Sequence, residues 1–181
     1  MNKKLANSEL NRLKIDEYKE IRKRPITLVL DNIRSQHNIG AAFRTGDAFR
    51  IEKIYLCGIC ATPPSAEIHK SALGAEDSVE WEYQKDAAIA VQKLKEEGYT
   101  IVGIEQVENS IPLDEFTIDN DKKYALIFGN EVKGVTQALI VMCDFCIEIP
   151  QEGTKHSLNV SVSVGVVLWD FYCKMKKRND M

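Results

Sequence analysis

The stretch IPQEGTKHSLNVSVSVGVVLW, Ile149–Trp169, combines the end of a strand, a polar loop and a run of small and β-branched residues. We expect Phe145–Pro150 to be a strand that ends at Pro150, because proline has no backbone N–H to donate. The loop that follows contains Gly153 and then Ser157-Leu158-Asn159. Polar groups and free backbone amides just after a strand are how α/β proteins build ligand sites. The stretch therefore predicts a ligand site at the carboxyl end of a strand.

The run Asn159–Val166 gives conflicting signals about its secondary structure. Polar or small residues alternate with valine, which is typical of a half-exposed strand. However, Val160, Val164 and Leu168 are spaced four residues apart, as on one side of a helix. The period by itself favours a strand, and a helix stays open as the alternative.

Short apolar runs alternate with amphipathic runs along the rest of the chain. The apolar runs predict strands at Ile26–Leu30, Lys53–Cys57, Val79–Tyr83, Thr100–Glu105, Tyr124–Phe128 and Phe145–Pro150. The amphipathic runs predict helices at Ser8–Arg22, Asn38–Phe49, Ala66–Leu73, Asp86–Glu97 and Thr136–Met142. Strands and helices that alternate at this pace predict an α/β fold, with a mostly parallel sheet and helices on both faces.

Length and composition predict one domain that is large enough to bury a core without disulfides. The 181 residues are 44% apolar and 28% charged, which is ordinary for a globular protein. No apolar run reaches the roughly 18 residues that a membrane helix needs, and the start MNKKLANSEL has no signal-peptide core. We therefore expect a cytoplasmic protein without a membrane partner.

Charge is distributed unevenly along the chain, whose net charge is −3. Residues 1–24 hold eight Lys or Arg against four acids, and residues 174–181 hold four against one. Basic ends on an acidic body would bind a polyanion locally, although solvated terminal charges explain the pattern at least as well.

Five cysteines include two C-x-x-C pairs, Cys57/Cys60 and Cys143/Cys146. Two pairs that share a zinc ion are usually about 15–20 residues apart, whereas more than eighty residues separate these. Each pair lies in or beside a predicted strand, where residues three apart face opposite sides of the sheet. We therefore expect buried thiols rather than a metal site.

The segment Gly129–Thr136, GNEVKGVT, follows a predicted strand and has the G-x-x-x-x-G spacing of a phosphate-binding loop. Such a loop needs lysine directly after its second glycine, but Val135 occupies that position and Lys133 precedes Gly134. A nucleoside triphosphatase is therefore disfavoured, and the missing G-x-G-x-x-G disfavours a dinucleotide-binding domain. What the segment predicts is a glycine-bounded turn that lets a flat ligand lie close to the backbone.

The segment Leu30–Thr45 concentrates polar residues after another predicted strand. We expect Asn38, Gly40 and Arg44 to open a helix, where backbone amides and a guanidinium suit an anion or a phosphate. The alternative is that Asn38 only caps the helix and Arg44 lies on its surface. The residues by themselves do not decide between the two.

Three blocks of this sequence resemble the three motifs of the SpoU/TrmH family of RNA ribose 2′-O-methyltransferases. They are NIRSQHNIGAAFRTGDAF (Asn32–Phe49), IFGNEVKGV (Ile127–Val135) and IPQEGTKHSLNVSVS (Ile149–Ser163), in the family's order. The likeness covers nearly all of Leu30–Tyr172. Gln151 and Ser163 depart from the family's usual choices, but neither removes a group that the chemistry needs.

The resemblance implies a C-terminal deep trefoil knot in the sheet, a helix after Asn159, a homodimer, and S-adenosylmethionine as the cofactor. It implies an RNA substrate, transfer RNA before ribosomal RNA, because compact members of the family often act on transfer RNA. Residues 1–24 are then a basic helical extension, and residues 25–181 form the catalytic domain. The catalytic residues carried over are Arg44, Asn38, Glu131 and Asn159. The cofactor-binding residues carried over are Glu105, Ile127, Gly129, Asn130, Gly134, Ile149, Ser157, Leu158 and Asn159. RNA binding is assigned to Arg34, Arg44, Arg22, Lys23 and Arg24, and no metal is expected.

A ribose 2′-hydroxyl is a weak nucleophile, so its proton must leave as the methyl group is attacked in line. Arginine is a poor base, because its pKa exceeds about 12. Either an adjacent RNA phosphate deprotonates Arg44 transiently, or Arg44 stays charged and stabilises the forming alkoxide, which is the account we prefer. The alternative function is a catalytically inactive RNA-binding module of the same fold. A methyltransferase for proteins or small molecules is disfavoured by the arginines of the first block and by the basic ends.

Overall fold

The protein, seen in a computed structural model that describes residues 2–179, is built on one parallel sheet. The strands are β1 (Arg24–Asp31), β2 (Ile51–Cys57), β3 (Glu80–Gln84), β4 (Tyr99–Ile104), β5 (Ile111–Pro112), β6 (Lys123–Phe128) and β7 (Phe145–Glu148). The α-helices are α1 (Ile15–Glu20), α2 (Gln36–Phe49), α3 (Ala66–Ala72), α4 (Ala75–Ser78), α5 (Ala87–Glu96), α6 (Gln137–Ile140) and α7 (Val160–Asn179). The strands pair in the order β3-β2-β1-β6-β4-β7-β5, and every pair between them is parallel. The predicted α/β class with a mostly parallel sheet is confirmed.

Helices cover both faces of the sheet, as the sequence predicts. The α2/α7 face packs the sheet against α2, α3 and α7, and its core includes Leu28, Leu30, Leu126, Phe128, Ile39, Phe43, Ile68, Val164, Val167, Leu168 and Phe171. The α5/α6 face packs the sheet against α5 and α6, and its core includes Val29, Tyr55, Ile101, Ile127, Ala90, Val91, Leu94 and Leu139. Leu28 and Val29 belong to different cores because successive side chains of a strand point to opposite faces.

β7 lies between β4 and β5, although those two strands follow each other along the chain. Ile104 at the end of β4 and Ile111 at the start of β5 both pair with Ile147 of β7. The connection Glu105–Ser110 must therefore cross β7 or the chain that continues from it. The sequence pattern does not predict β5, because two residues are too few for a periodic signal.

The chain after Asn159 is helical, so the strand that the alternating period favours is wrong and the helix implied by the resemblance is confirmed. Val164, Leu168 and Phe171 are fully buried on one side of α7. Val162 on the other side is 49% exposed. Apolar residues on two sides of one helix place valine at alternate positions, and this hides the helical period.

The predicted helix Ser8–Arg22 is wrong in its extent. A 3-10 turn at Asn7–Leu10 and α1 are separated by residues 11–14, and the first of these, Asn11, has a left-handed backbone at φ 45°. Tyr18 is buried, whereas Leu13 is 48% exposed. The apolar spacing does not produce one helix here, because its members share no surface to pack against.

The helix α2 begins two residues before its predicted start, and the alternative in which Asn38 only caps it is wrong. Ser35 is the N-cap, and its Oγ accepts the backbone N–H of Asn38 at 3.3 Å. Ile39 and Phe43 are buried as predicted. The Asn38 side chain is therefore left free for other contacts.

The other predicted strands and helices are confirmed to within one or two residues at each end. Within the described range, no helix is long and apolar enough to cross a membrane. The basic side chains after Met175 lie outside what the structure describes.

Candidate active site

Two polar segments meet where β1 and β6 end side by side. Asn32 follows β1 with a left-handed backbone, φ 57°, and its carbonyl oxygen accepts a hydrogen bond from Asn130 Nδ2 at 2.7 Å. Asn130 follows β6, and its Oδ1 accepts the backbone N–H groups of Val132 and Lys133 at 2.9 and 3.2 Å. Asn130 thus folds its own turn and fixes that turn to the segment after β1.

The turn Gly129–Gly134 brings backbone very close to backbone. Asn130 and Gly134 exchange N–H···O hydrogen bonds of 3.1 and 2.8 Å. A Cβ on Gly129 would lie 2.1 Å from the carbonyl carbon of Gly134, and Gly134 itself has a φ of +65°. Both positions therefore require glycine, as the glycine-bounded turn predicted from the sequence implies.

Glu105 holds this turn from the end of β4. Its Oε2 accepts the backbone N–H of Val135 at 2.9 Å, and its Oε1 accepts the N–H of Gln106 at 2.9 Å. The backbone N–H of Glu105 donates to the carbonyl oxygen of Ile147 in β7 at 3.1 Å. Glu105 thereby links the ends of β4 and β7 to the turn after β6.

Glu131 connects the turn to the start of α2. Its carboxylate accepts the backbone N–H groups of Arg34 at 3.1 Å and Ser35 at 3.2 Å, and the side-chain amide of Asn38 at 3.2 Å. Partial burial would raise the pKa of Glu131, but these hydrogen bonds and one from its own backbone outweigh that effect, and the pKa lies below its ordinary value. Glu131 is therefore a carboxylate at neutral pH, which suits a positioning role and not proton donation.

Asn159 brings the third polar segment into the same cluster. Its Nδ2 donates to Asn38 Oδ1 at 3.3 Å. Its Oδ1 accepts the backbone N–H of Ser161 at 2.9 Å and the Ser161 hydroxyl at 2.6 Å, which caps the start of α7. Glu131, Asn38 and Asn159 thus form one hydrogen-bonded row, which we call the Asn38 row.

The loop between β7 and α7 presents its backbone to solvent. Residues 150–158 are all exposed, and they form no hydrogen bond with other residues in the range 2–179. Ser157 and Leu158 lie at the end of this loop beside Asn159, and Ile149 at its start packs partly against the α2/α7 core. Free N–H and C=O groups here are available to a ligand.

The predicted cofactor residues fall mostly at one edge of the sheet. Glu105, Gly129 and Ile149 follow β4, β6 and β7, which are neighbours in the sheet. Ile127 differs, because its side chain is fully buried in the α5/α6 core. Ile127 is 0% exposed and its backbone lies between Val29 and Gly103 in the sheet, so it presents no surface to a bound molecule in this structure.

Arg44 lies apart from the Asn38 row. It stands six positions after Asn38 on α2, and in a helix of 3.6 residues per turn this is a rotation of about 240°. Arg44 is exposed, and it forms no hydrogen bond or salt bridge with the residues that the structure describes. A single chain therefore brings Asn38, Glu131 and Asn159 together and leaves Arg44 on another side of α2.

The predicted RNA-binding residues differ in their surroundings. Arg22 and Arg34 are exposed. The Lys23 ammonium group donates to backbone carbonyl oxygens of α1, including one at 3.4 Å. The Arg24 guanidinium lies 4.6 Å from the centre of the Tyr172 ring, and its Nε is buried without a partner in the described range. The chain itself thus engages Lys23 and Arg24, whereas Arg22 and Arg34 face solvent.

The Cys57/Cys60 pair is divided between the two faces of the sheet, whereas Cys146 is buried and Cys143 partly buried on one side of it. Cys57 packs in the α5/α6 core and Cys60 in the α2/α7 core. Burial raises the pKa of Cys60 to about 11 and that of Cys143 to about 12, so both are thiols at neutral pH. Among residues 2–179, no group of three His, Cys, Asp or Glu is arranged to hold a metal ion.

Sequence reasoning did not single out two positioning residues, Asn32 and Ser35. Both carry a recognisable signal, since asparagine tolerates a left-handed backbone and serine is a favoured N-cap. The pattern does not show that Asn32 would receive Asn130, because that contact spans 98 residues of chain.

The model of the SpoU rRNA Methylase family matches residues 25–169. The chain therefore belongs to this family, and the resemblance seen in the three blocks is confirmed. The curated 23S rRNA (guanosine-2′-O-)-methyltransferase RlmB of Nitrosomonas europaea is 34% identical over 153 residues, which are 84% of this chain and 58% of that protein. The chain spans about three fifths of the length of the first curated relatives that it matches.

Solved structures show the same fold. The TrmH/SpoU tRNA modifying enzyme of A. aeolicus superimposes with a TM-score of 0.80 at 26% identity, over 91% of this chain and 82% of that one. The AdoMet-bound rRNA methyltransferase of Sinorhizobium meliloti superimposes with a TM-score of 0.75 at 25% identity, over 84% of this chain and 58% of that one.

Proposed function

We propose that this chain transfers the methyl group of S-adenosylmethionine to a ribose 2′-hydroxyl of RNA. The observation that carries the proposal is the Asn38 row, which joins one residue from each of the three polar segments. The names of the similar proteins support the proposal, since they describe methyltransferases of ribosomal and transfer RNA and one of them binds AdoMet.

The edge of the sheet beside the Asn38 row fits S-adenosylmethionine. The loop 150–158 offers backbone groups without partners in the described chain, and the glycine-bounded turn Gly129–Gly134 lies at the end of the neighbouring strand β6. We assign the cofactor to the backbone of Glu105, Gly129, Ile149 and Leu158, with the Ser157 hydroxyl nearby. When bound, its sulfonium supplies an electrophilic methyl group.

The polar residues then divide the remaining tasks. Asn38 and Asn159 orient the ribose. Glu131 holds Asn38 in place by accepting its side-chain amide. Its lowered pKa makes Glu131 a weak base, so we assign it no proton transfer. Within one chain Arg44 lies on another side of α2 from the Asn38 row, so in the homodimer proposed below it would act at the site of the second copy. There it keeps its charge and stabilises the alkoxide as the hydroxyl proton passes to a phosphate or to water. Arg34 and Arg22 face solvent, where they can meet the RNA backbone.

A homodimer through α7 is part of this proposal. Val162, Val166 and Trp169 on the outer side of α7 are 49%, 38% and 56% exposed, while its inner side is already buried in the core. A second apolar stripe on such a helix is typical of an interface. A second copy of the chain would cover it.

We also propose that the chain is threaded into a deep trefoil knot. The position of β7 between β4 and β5, beneath the connection Glu105–Ser110, supports this because the later strand occupies a gap that earlier strands frame.

The test of the function is methyl transfer from labelled S-adenosylmethionine to unmodified transfer RNA, which we propose as the preferred substrate, and in parallel to ribosomal RNA. Label should appear at alkali-resistant phosphodiester bonds, the signature of a 2′-O-methyl group. Arg44→Ala should lower the rate by roughly 10²–10³-fold, as loss of one group that stabilises an oxyanion does. Label on a base, or full activity in Arg44→Ala, would contradict the proposal.

A further inference from the structure

A groove separate from the candidate active site opens between α3, α4 and β3. Its larger part is a cavity of about 600 Å³ whose lining includes Pro63, Pro64, His69, Glu76, Asp77 and Trp81. A second cavity of about 290 Å³ shares Glu76, Asp77 and Trp81 and extends to Lys19 and Lys53. Trp81 lines both cavities, and we call the two together the Trp81 groove.

We propose that the Trp81 groove binds a base of the RNA substrate that carries an amino group and lies outside the methylated nucleotide. The inference rests on the proposed function, because RNA must be the substrate for a neighbouring base to reach the groove.

The groove provides a surface on which a base can stack. Trp81 lies on the edge strand β3, packs partly against the α2/α7 core and keeps part of its surface open. Pro63 and Pro64 line the same cavity. Stacking on an aromatic side chain is a main source of affinity for unpaired bases, and it works for every base.

The acidic residues of the groove favour some bases over others. Asp77 is exposed, and its carboxylate has no partner among the described residues. The Glu76 side chain is only 9% exposed and is fixed by the N–H of Gly74 at 3.0 Å and the His69 ring at 2.5 Å. Carboxylates accept hydrogen bonds from the amino groups of guanine, cytosine and adenine, whereas uracil has none. Guanine is the best match, since its amino group and ring N–H are adjacent donors.

The position of the groove places it beside the site of methyl transfer. The hydroxyl of Ser65, on the rim of the groove, donates to Gln36 Oε1 at 2.5 Å. Gln36 opens α2, the helix that carries Asn38. An RNA strand with its reactive ribose at Asn38 therefore has nucleotides close to the groove, and Lys19 at the far end can meet a phosphate.

A basic peptide of a partner protein would also suit carboxylates beside a tryptophan. Charge by itself does not exclude that occupant, because Lys53 pairs with Glu82 at 3.4 Å and Glu80 lines the same end of the groove as Lys19. The continuity with α2 favours RNA, and the experiment distinguishes the two.

The test uses Trp81 as its own probe. The chain has two tryptophans, so the Trp169→Phe variant leaves Trp81 as the only one. Its fluorescence is titrated with the pentanucleotides UUGUU, UUCUU, UUAUU and UUUUU, and with a lysine-rich peptide. We expect UUGUU to quench Trp81. It should bind roughly 5- to 100-fold more tightly than UUUUU, because hydrogen bonds to a carboxylate distinguish guanine from uracil.

Asp77→Ala in the same background should reduce the preference for UUGUU over UUUUU several-fold. Glu96→Ala, which removes an exposed acid on α5, is the matched control and should leave the preference unchanged. Trp81→Phe in the full chain should raise the KM for RNA and leave kcat near its wild-type value.

Equal quenching by all four oligonucleotides, no quenching, or quenching by the peptide alone would overturn the proposal. Methyl transfer to RNA is measured on the wild-type chain in parallel. Methylated RNA without a response of Trp81 refutes the groove alone. A base-selective response without methyl transfer refutes the proposed function and leaves the groove as an RNA contact.

Discussion

The two faces of the sheet are packed in the same way, but they contribute differently to the candidate active site. On the α5/α6 face, small and aliphatic residues such as Ala90 and Leu94 are fully buried and contact only core neighbours. On the α2/α7 face, the helices that fill the core also place the polar residues, since Asn38 lies on α2 and Asn159 caps α7. Packing defects on the first face should lower stability alone, whereas defects on the second should also move the Asn38 row.

The faces also use their carboxylates differently. On the α5/α6 side, Glu82 of β3 pairs with Lys93 at 3.0 Å and Lys53 at 3.4 Å, side chain to side chain. Glu131 at the site instead binds backbone N–H groups and an amide. The first arrangement joins α5 to the edge of the sheet, and the second fixes the geometry of a loop.

The largest effect on stability is expected from Leu94→Ala on the α5/α6 face. Leu94 is 1% exposed, and removing a buried leucine costs about 2–5 kcal/mol in the free energy of unfolding. Urea denaturation measures the loss, and Ile89→Ala on the exposed side of α5 is the control that should change stability by about 0.5 kcal/mol or less. Methyl transfer per folded molecule should be unchanged. A loss of activity per folded molecule would contradict the prediction that the α5/α6 face affects stability alone.

Gly40→Ala on the α2/α7 face should reduce both stability and activity. A Cβ at Gly40 would lie 2.2 Å from Ser71 Oγ and 2.3 Å from the carbonyl oxygen of Ile68, so α2 and α3 must move apart. Such overpacking costs about 1–3 kcal/mol. Thermal unfolding and methyl transfer report the two effects.

Gly165→Ala on α7 is the matched control for Gly40→Ala. No atom lies within 4 Å of a Cβ built at Gly165, and alanine in a helix is about 1 kcal/mol more favourable than glycine. The two substitutions should therefore have opposite signs in the stability of a single chain. In the proposed homodimer Gly165 lies in the same stripe of α7 as Val162 and Trp169, where added bulk would oppose association. Equal destabilisation would show that Gly165 is covered by something outside a single chain, such as a second copy.

Glu131→Gln should lower activity with little change in stability. Glutamine keeps one acceptor oxygen where the carboxylate offers two, so at least one of the bonds to Arg34, Ser35 or Asn38 is lost. Because Glu131 is exposed, we expect a change of about 1 kcal/mol or less in the free energy of unfolding. The kcat for methyl transfer should fall several-fold. An unchanged kcat would contradict the positioning role of Glu131.

The smallest effect is a pH dependence of stability from Glu82. Partial burial raises its pKa, but hydrogen bonds from Lys93, Gln84 and Lys53 outweigh this and lower the pKa from 4.5 to about 2. A carboxylate with a lowered pKa in the folded state contributes its stabilisation fully above pH 4.5 and loses it as the pH falls towards 2. Urea midpoints at several pH values in this window should fall less steeply for Glu82→Gln than for the wild type. Parallel curves would mean that the cluster contributes nothing.

The secondary structure was predictable where one side of an element faces a core. The runs at β1, β2, β4 and β6 and the helix α5 show this, because burial imposes one period on their residues. For α7 the period predicts the wrong structure, because Val162 and Val166 are apolar but do not lie on the side of the helix that packs in the core. Before α1 the error is the reverse: Leu10 and Leu13 have helical spacing and predict one helix, but they remain 39% and 48% exposed and no continuous helix forms.

The sequence by itself determined the alternation of strands and helices, the three polar segments and, through their likeness to a family, the kind of chemistry to expect. These depend on local spacing and on residue types, which a linear chain displays directly. Only the tertiary structure decided that Ser35 and not Asn38 caps α2, and that Asn38 meets Glu131 and Asn159, which lie 93 and 121 residues further along the chain. Such contacts form only when the whole sheet brings its strand ends together, and no local pattern records which polar side chain will face which.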